Sequence, residues 1–298
     1  MKVYLITKKT LIYAAAAAAV LLIAVLVAIV AGGSSGTNAE ADTSGRIARL
    51  QTPTLDSGKQ VETIASVGTN SVEEYEVEVF AGLMKELPVY SVQRNDRKIA
   101  LTIDAAWQDD KTPFILSTLE KYNIPATFFL CGFWVKDYPD MVKAIYDGGH
   151  EIGNHSMTHP HMSKLSSEAI VDELEQFETL IDPIIGKRTT LFRAPFGEYN
   201  DNVIKTLREN GYEVIQWNID TIDWKSERSA QTILDTVLPK LAAGSIILCH
   251  NNGYKIEQYL PTLIETALSQ GYEFVTVSDL LLSGTTLIDV NGVQKSID

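Results

Sequence analysis

The stretch Gly153-Asn154-His155-Ser156-Met157-Thr158-His159 places two imidazoles four residues apart, directly after an apolar, strand-like run. On one turn of a helix the side chains at positions i and i+4 lie on the same face, so we expect His155 and His159 to bind one divalent ion. Neutral imidazole suits zinc, with cobalt or nickel as alternatives. Two histidines at this spacing also occur on ordinary protein surfaces, so their meaning depends on the rest of the chain.

Short apolar runs alternate with helical patterns from residue 89 onward. We predict strands at 98–103, 126–130, 213–217, 245–248 and 273–276, and helices at 112–122, 140–146, 167–181, 200–210, 230–241 and 256–269. Thr112 and Pro113 are predicted to cap and open the first helix. Strands separated by helices need crossover connections, which produce a mainly parallel sheet. About seven such units fit a (β/α) barrel better than an open sheet, and barrel active sites lie at the C-terminal strand ends.

Polar and aromatic residues recur near the ends of the predicted strands, namely Asp104, Arg193, Asp220, Asp223, Trp224 and His250. Singly, each has an ordinary alternative, such as a helix cap for Asp104, a surface ion pair for Arg193 or a core position for Trp224. A core position is also the usual reading of a histidine such as His250. Its place at the end of an apolar strand, before Asn251-Asn252-Gly253, favours a functional role here.

Five short motifs occur in order along the chain: Thr102-Ile103-Asp104-Ala105-Ala106, His155-Ser156-Met157-Thr158-His159, Arg193-Ala194-Pro195-Phe196-Gly197, Asp220-Thr221-Ile222-Asp223-Trp224 and Leu248-Cys249-His250. On these motifs residues 97–283 resemble the polysaccharide deacetylases, carbohydrate esterases that remove acetyl groups from chitin, xylan and peptidoglycan. The resemblance implies an α/β fold with a distorted seven-stranded (β/α) barrel. It also implies a single divalent metal, with His155 and His159 among its ligands.

Amide hydrolysis needs a nucleophile, a site for the oxyanion and a proton for the leaving amine. A metal lowers the pKa of bound water and polarises a carbonyl, which covers the first two needs. We expect Asp104 to act as the general base and His250 to protonate the departing nitrogen. Arg193 is expected to keep Asp104 ionised through a charge-assisted contact. By resemblance Asp223 is expected to orient His250, with Asp220 as the alternative.

Three further residues are assigned to substrate binding by the resemblance. The backbone N–H of Phe196 is expected to complete the oxyanion pocket. Trp224 and Leu248 are expected to form the walls of a small pocket for the acetyl methyl group. Asp220 is expected to lie on the same, substrate-binding side of the site.

Ala105 departs from the family pattern, in which a second aspartate at this position binds the metal. A methyl group cannot coordinate an ion, and catalytic zinc normally has three protein ligands. Asp109 and Asp110 could bring in a carboxylate, or water could complete the site. The function predicted here is therefore a metal-dependent deacetylase of a cell-surface polysaccharide, most simply peptidoglycan. The alternative is a glycan-binding or scaffold protein of the cell wall with a disabled metal site, and a hydrolase of small amides is a third possibility.

Composition and charge set the outer limits on function. A hydrophobic fraction of 45% and a charged fraction of 21% are typical of a globular protein. The net charge of −13 argues against a nucleic-acid partner. Nothing in the sequence identifies a protein partner. The two cysteines, Cys131 and Cys249, each end an apolar run, so we expect buried thiols and neither a disulfide framework nor a cysteine-rich zinc site.

The first 31 residues predict a membrane anchor. Residues 11–31 are uncharged and largely apolar, long enough at about 1.5 Å per residue to cross a bilayer. Lysines precede this run, which predicts a cytoplasmic segment 1–10 and an extracytoplasmic domain on a single-pass anchor in the cell membrane. A cleaved signal peptide is the alternative, with Ala39-Glu40-Ala41 as its site. The remaining divisions are a linker with a possible accessory element at 32–88, the deacetylase-like domain at 89–283 and a tail at 284–298.

Overall fold

The computed structural model describes residues 48–51, 62–65 and 86–297, which fall into two units, Met1–Gly82 and Leu83–Asp298. In the first unit, strand β1 (Ala48–Gln51) pairs antiparallel with β2 (Glu62–Ala65). The predicted anchor at 11–31 and most of the predicted linker at 32–88 lie outside the described residues. Within the described part of the chain, no helix is both long and apolar enough to cross a membrane.

The second unit alternates strands and helices along the chain. Its strands are β3 (Ser91–Val92), β4 (Lys98–Ala105), β5 (Thr127–Leu130), β6 (Glu151–Asn154), β7 (Leu191–Phe192), β8 (Glu213–Val214), β9 (Ile219–Asp220), β10 (Ile246–His250), β11 (Glu273–Phe274), β12 (Thr286–Ile288) and β13 (Val293–Ser296). Its helices are α1 (Thr112–Tyr122), α2 (Gly132–Asp137), α3 (Pro139–Asp147), α4 (Ser167–Ile185), α5 (Asp201–Glu209), α6 (Ala230–Val237), α7 (Ile256–Ser269) and α8 (Val277–Leu280).

Seven strands form one parallel sheet in the order β8-β7-β6-β5-β4-β10-β9. The sheet curls into a half-barrel, and β11 pairs with the start of β4 beside it. This arrangement confirms the predicted α/β class and the parallel sheet. In a parallel sheet all strands point the same way, so the C-terminal ends of β4, β6, β7, β9 and β10 lie along one edge.

Alternation along β4 explains how the sheet carries both a core and a site. Ile99, Leu101 and Ile103 belong to the large apolar cluster that includes residues of the surrounding helices. Ala100 belongs instead to a second cluster inside the curl of the sheet. Because successive side chains alternate between the two faces of a strand, Asp104 follows Ala100 onto the inner face. The inner face therefore presents a carboxylate at the mouth of the half-barrel.

Several predicted boundaries shift in the structure. The predicted helix at 256–269 coincides with α7, and Asn200 caps α5 by accepting from the Val203 N–H at 2.9 Å. Thr112 was wrongly predicted as a cap: it lies inside the first turn of α1, and Lys111 occupies the cap position without a side-chain cap bond. The predicted strand at 213–217 ends at Val214, after which the chain pairs with residue 89 instead. Helix α2 has only six residues, too few to show a helical period in the sequence.

The C-terminal segment, treated as a tail in the sequence analysis, forms ordered structure up to residue 297. Strands β12 and β13 make an antiparallel hairpin, and β13 pairs in parallel with β3. The hairpin thus joins the end of the domain to its beginning.

Candidate active site

All of the predicted site residues converge on one cavity of about 500 Å³ at the C-terminal edge of the sheet. Its lining includes Asp104, His155, His159, Phe196, Asp220, Trp224, Leu248 and His250. Arg193 and Asp223 are buried behind this lining, where each contacts one of the lining residues. Five separate motifs of the sequence therefore form a single site.

Asp104 and Arg193 form a buried ion pair at the base of the cavity. Arg193 Nη1 donates to Asp104 Oδ1 at 2.7 Å and to Thr102 Oγ1 at 2.8 Å. Burial raises the pKa of the Asp104 carboxyl, but the charge and hydrogen bond of Arg193, with the charge of His250, outweigh burial and lower the pKa below its ordinary value. Asp104 is therefore an ionised carboxylate, as a general base must be.

The Arg193 guanidinium is fixed on several sides. Its Nη2 donates to the carbonyl of Gln216 at 3.0 Å, and its central carbon lies 4.1 Å from the centre of the Phe129 ring. The side chain is fully buried, which excludes the surface ion pair considered as the ordinary alternative. Arg193 therefore holds Asp104 in a defined position.

His155 and His159 lie on a loop and not on a helix, so the helical geometry expected from their spacing is wrong. Ser156 and His159 have φ angles of 67° and 58°, which lie in the left-handed region. Side chains hold this shape: Asn154 Oδ1 accepts from the Ser156 N–H, and Ser156 Oγ accepts from the His159 N–H. The loop still brings the two rings together, with 5.0 Å between their centres.

Both imidazoles have lowered pKa values, which favour the neutral form that binds a metal ion. His155 Nδ1 lies 2.8 Å from the carbonyl oxygen of Arg193, which leaves Nε2 facing the site, 3.6 Å from Asp104 Oδ2. Burial lowers the pKa of His155. Burial, together with the nearby His155, lowers the pKa of His159 to about 4. A carbonyl partner for the second ring nitrogen is the usual support of a metal-binding histidine.

The donor atoms present fit a transition-metal ion. Cys131 joins the two histidines, and the ligand atoms of these three residues all lie within 4.8 Å of one another. Ala105 is fully buried and offers no donor, and Asp109 and Asp110 are outside this group. Thiolate and imidazole are the donors that zinc and cobalt favour. The sequence predicted only a buried thiol at Cys131, because no residue near it in the chain indicates a metal ligand.

His250 and Asp223 form a second charged pair across the cavity. Asp223 Oδ1 accepts from His250 Nδ1 at 2.7 Å, and Asp223 Oδ2 accepts from the Tyr259 hydroxyl at 2.6 Å. Burial lowers the pKa of His250, but the hydrogen bond and charge of Asp223, with Asp104 and Asp220, outweigh burial and raise it above the ordinary value. Asp220 makes no such bond to His250; its carboxylate accepts from the Ile222 N–H, and burial raises its pKa.

Aromatic side chains form the rim of the cavity. Phe196 has a φ of 60° and is 57% exposed, and its ring stacks on His161, which in turn pairs with Glu198. Trp224 is 53% exposed, which excludes the core position considered as its alternative. Trp107 was not predicted: it is 54% exposed, and its ring lies edge-on to His159 with 4.8 Å between centres. Trp107 directly follows the motif that ends at Ala106, but only the structure shows that its ring is exposed at the cavity.

Comparison with known proteins decides the family. The sequence model described as Polysaccharide deacetylase matches residues 91–215. The peptidoglycan-N-acetylmuramic acid deacetylase PdaA of Bacillus subtilis is 30% identical over 229 residues, which cover 76% of this chain and 80% of that protein. A peptidoglycan-N-acetylglucosamine deacetylase of Bacillus cereus is 33% identical over 205 residues, covering 67% and 74%. The chain belongs to the polysaccharide deacetylase family.

Solved structures of this family superpose on the chain. BA3943 from Bacillus anthracis, described as a CE4 family pseudoenzyme, is 35% identical with a TM-score of 0.62, covering 65% of this chain and 68% of that one. A BA3943 mutant described as having restored enzymatic activity is 32% identical with the same TM-score, covering 76% and 79%. The deacetylase family thus contains both active members and a member whose activity was regained by substitution.

Proposed function

We propose that this protein is a metal-dependent hydrolase that removes N-acetyl groups from peptidoglycan. The observation that carries the proposal is the convergence of the Asp104–Arg193 pair, the His155–His159 loop and the Asp223–His250 pair on one cavity. Each group supplies a different requirement of amide hydrolysis, and the named relatives act on the same class of substrate.

The proton transfers follow from the two charged pairs. Asp104, kept ionised by Arg193, accepts a proton from the water that attacks the acetyl carbonyl. The raised pKa of His250 favours the protonated imidazole, which donates to the amine nitrogen as the carbon–nitrogen bond breaks. Asp223 holds the ring in place and stabilises its positive charge. The products are acetate and a free amino sugar.

His155 and His159 would hold the ion, and zinc is the metal we propose on the basis of their imidazole donors. When bound, a divalent ion supplies a more acidic water and polarises the carbonyl group. The Phe196 N–H is proposed as the donor to the developing oxyanion. Trp224 and Leu248 are proposed to enclose the acetyl methyl, and Asp220 to bind the sugar from the cavity wall.

Acetate release tests the proposal. The purified full-length protein would be incubated with peptidoglycan fragments and N-acetylglucosamine oligomers after chelation, and again after zinc or cobalt is added back. We expect acetate only with metal, and its loss in Asp104→Asn, which keeps the size of the side chain but removes the base. Acetate release that is unchanged in Asp104→Asn would contradict the mechanism.

Glycan binding without turnover is the second candidate, and the buried methyl of Ala105 is the observation that favours it. The comparison with BA3943 supplies a precedent within the family. If the unaltered protein releases no acetate at any metal concentration but Ala105→Asp does, the natural role is binding. Unaltered protein that releases acetate decides for the enzyme.

We also propose that residues 11–31 anchor the protein in the cell membrane, with the deacetylase domain at 89–283 outside the cytoplasm. The proposal is supported by the apolar run and the lysines before it. Protease treatment of intact, wall-free cells tests it: the domain should be digested while a cytoplasmic control survives. A chain that begins after residue 41 would indicate a cleaved signal peptide instead.

A further inference from the structure

We infer that Cys131 is the third protein ligand of the metal centre and replaces the carboxylate that Ala105 lacks. The inference rests on the metal of the proposed function, but it concerns ligation and not turnover. It adds a thiolate to a site whose sequence motif provides only two imidazoles.

The distances carry the first step of the argument. The ligand atoms of Cys131, His155 and His159 all lie within 4.8 Å of one another, and no other group of this kind occurs in the part of the chain that the structure describes. In a tetrahedral zinc site, with bonds of about 2.3 Å to sulfur and about 2.0 Å to nitrogen, ligand atoms stand roughly 3.5 Å apart. Shifts of the order of 1 Å in side chains would close this group around an ion.

The backbone places the Cys131 thiol between the C-terminal end of β4 and the loop from His155 to His159. The Cys131 N–H donates to the carbonyl of Ala105 at 2.9 Å, and the Cys131 thiol donates to the carbonyl of His155 at 3.2 Å. Cys131 and Ala105 belong to the same buried cluster. Cys131 is therefore adjacent both to Ala105, where the family pattern has a metal-binding aspartate, and to the loop that carries His155 and His159.

Gly132 and Phe133, which follow Cys131 at the start of α2, bond to the loop from His155 to His159. The Gly132 N–H donates to the Ser156 carbonyl at 2.9 Å, and the Phe133 N–H donates to the Met157 carbonyl at 3.1 Å. A Cβ on Gly132 would lie 2.2 Å from Met157 Sδ, so the close approach of these two segments depends on the glycine. These bonds keep the backbone of Cys131 next to the loop that carries the two imidazoles.

The chemistry of the three donors is that of an open zinc site. Two imidazoles and a thiolate leave a fourth tetrahedral position free for water or substrate. Thiolate also shifts the preference of the site toward zinc and cobalt and away from magnesium or manganese. Only the thiolate binds a metal, so binding would release the Cys131 thiol proton to solvent.

Cys249 provides a matched control. It is the other buried free cysteine, it also lies at the C-terminal end of a central strand, and it is outside the group of metal-binding donors. Replacing either thiol with serine removes the same atom from a buried strand end. Only Cys131→Ser should change the metal site.

Cobalt titration of the full-length protein tests the inference. We expect a near-ultraviolet thiolate-to-cobalt charge-transfer band in the unaltered protein and in Cys249→Ser. In Cys131→Ser the band should be absent, and the cobalt affinity should be at least tenfold weaker. Adding Ala105→Asp to Cys131→Ser should recover affinity without the band. Cobalt that binds the unaltered protein without the band, or no binding at all, would overturn the inference.

A second measurement needs no variant. X-ray absorption at the zinc edge of the unaltered protein should show one sulfur neighbour at about 2.3 Å. A first shell of nitrogen and oxygen alone would overturn the inference even if Cys131→Ser failed to fold. A sulfur neighbour without acetate release would uphold the thiolate ligand and reject only the deacetylase function.

Discussion

Arg193 shows how one residue supports both the stability and the chemistry of the site. Its guanidinium and the Asp104 carboxylate are both buried, and each compensates the desolvation of the other. Removing one partner of such a pair leaves an uncompensated charge in the interior. The residue that activates the general base is thus also one whose loss the fold tolerates poorly.

We predict that Arg193→Leu lowers the free energy of unfolding by about 3–5 kcal/mol, because Asp104 is then buried without its cation. Urea denaturation followed by circular dichroism measures the change. Arg188→Leu is the control, since Arg188 pairs with Glu175 on the exposed surface and should cost less than about 1 kcal/mol. Equal losses in the two variants would show that burial of the Arg193 pair is not the cause.

The pair of Asp223 and His250 predicts a change in the pH profile. Protonated His250 is the proposed donor to the leaving amine, so activity should fall as the pH rises through the raised pKa of this residue. In Asp223→Asn the carboxylate that raises this pKa is gone, so the alkaline limb of acetate release should move to lower pH. The maximal rate should fall on the order of 10²-fold.

Rates measured from pH 5 to pH 10 check this prediction. Asp235→Asn, on the exposed face of α6, is the control and should leave the profile unchanged. An Asp223→Asn enzyme with a lower rate but an unshifted alkaline limb would mean that Asp223 acts only through the fold.

At the scale of elements, the loop from His155 to His159 depends on helix α4 for its shape. Glu173 accepts hydrogen bonds from the N–H groups of Met157 and Thr158 at 2.9 and 2.8 Å, and from the Thr158 hydroxyl at 2.6 Å. These bonds satisfy two backbone donors in a segment that has no regular structure. A helix in the outer layer thereby sets the position of the loop that carries the two proposed metal-binding histidines.

We predict that Glu173→Gln weakens metal affinity by about 10- to 100-fold, the range seen when a partner of a metal ligand is lost. Glutamine has one acceptor oxygen and no negative charge. The two N–H bonds that Oε2 accepts therefore lose their charge assistance, and an NH₂ group in place of Oε1 can no longer accept from the Thr158 hydroxyl. Competition with a chromogenic chelator measures the affinity. Asp172→Asn, one residue away and bonded only to Gln176 on the surface, serves as the control.

If Glu173→Gln and Asp172→Asn bind zinc equally well, the loop holds its shape without the negative charge of Glu173. The bonds that Asn154 and Ser156 accept within the loop, with neutral bonds to α4, would then be sufficient.

At the scale of the whole domain, the C-terminal hairpin closes the fold onto its own first strand. The carbonyls of Gly292 and Gln294 accept from the N–H groups of Tyr90 and Gln93, each at 2.8 Å. The hairpin also lies close to the loop that follows α8, since Gln294 Oε1 accepts from the Leu282 N–H at 2.8 Å. Residues 284–298 therefore belong to the domain and not to a free tail.

We predict that ending the chain at Gly284 lowers the free energy of unfolding by on the order of 2 kcal/mol, because the N–H groups of Tyr90 and Gln93 on either side of β3 lose their partners. The melting temperature should fall by roughly 4–8 °C for a domain of this size. Val290→Ser is the control, since this side chain is 78% exposed at the hairpin tip. A truncated protein with an unchanged melting temperature would contradict the role given to the hairpin.

Features that depend on residues near one another in the chain could be predicted from the sequence, and features that depend on particular tertiary or side-chain contacts could not. Strand and helix positions followed from periodic patterns, as in α7 and β4, because side-chain spacing alone decides which face is buried. The chemistry-bearing residues also followed, since their types and order along the chain match a family pattern. The loop shape at Ser156 and His159 did not follow. Left-handed backbone in these residues depends on particular side-chain hydrogen bonds, within the loop to Asn154 and Ser156 and from the loop to Glu173 of α4, which no periodic pattern encodes.

The amino-acid sequence was thus sufficient for the α/β class, the parallel sheet and the identity of the motif residues at its C-terminal edge, but not for Trp107 or Cys131. Local periodicity and residue chemistry are enough for these features. The distances among Cys131, His155 and His159, the partner choice of Asp223 over Asp220, and the hairpin on β3 were decided only by the tertiary structure. Each of these depends on contacts between segments far apart in the chain, and no local pattern encodes which of them meet.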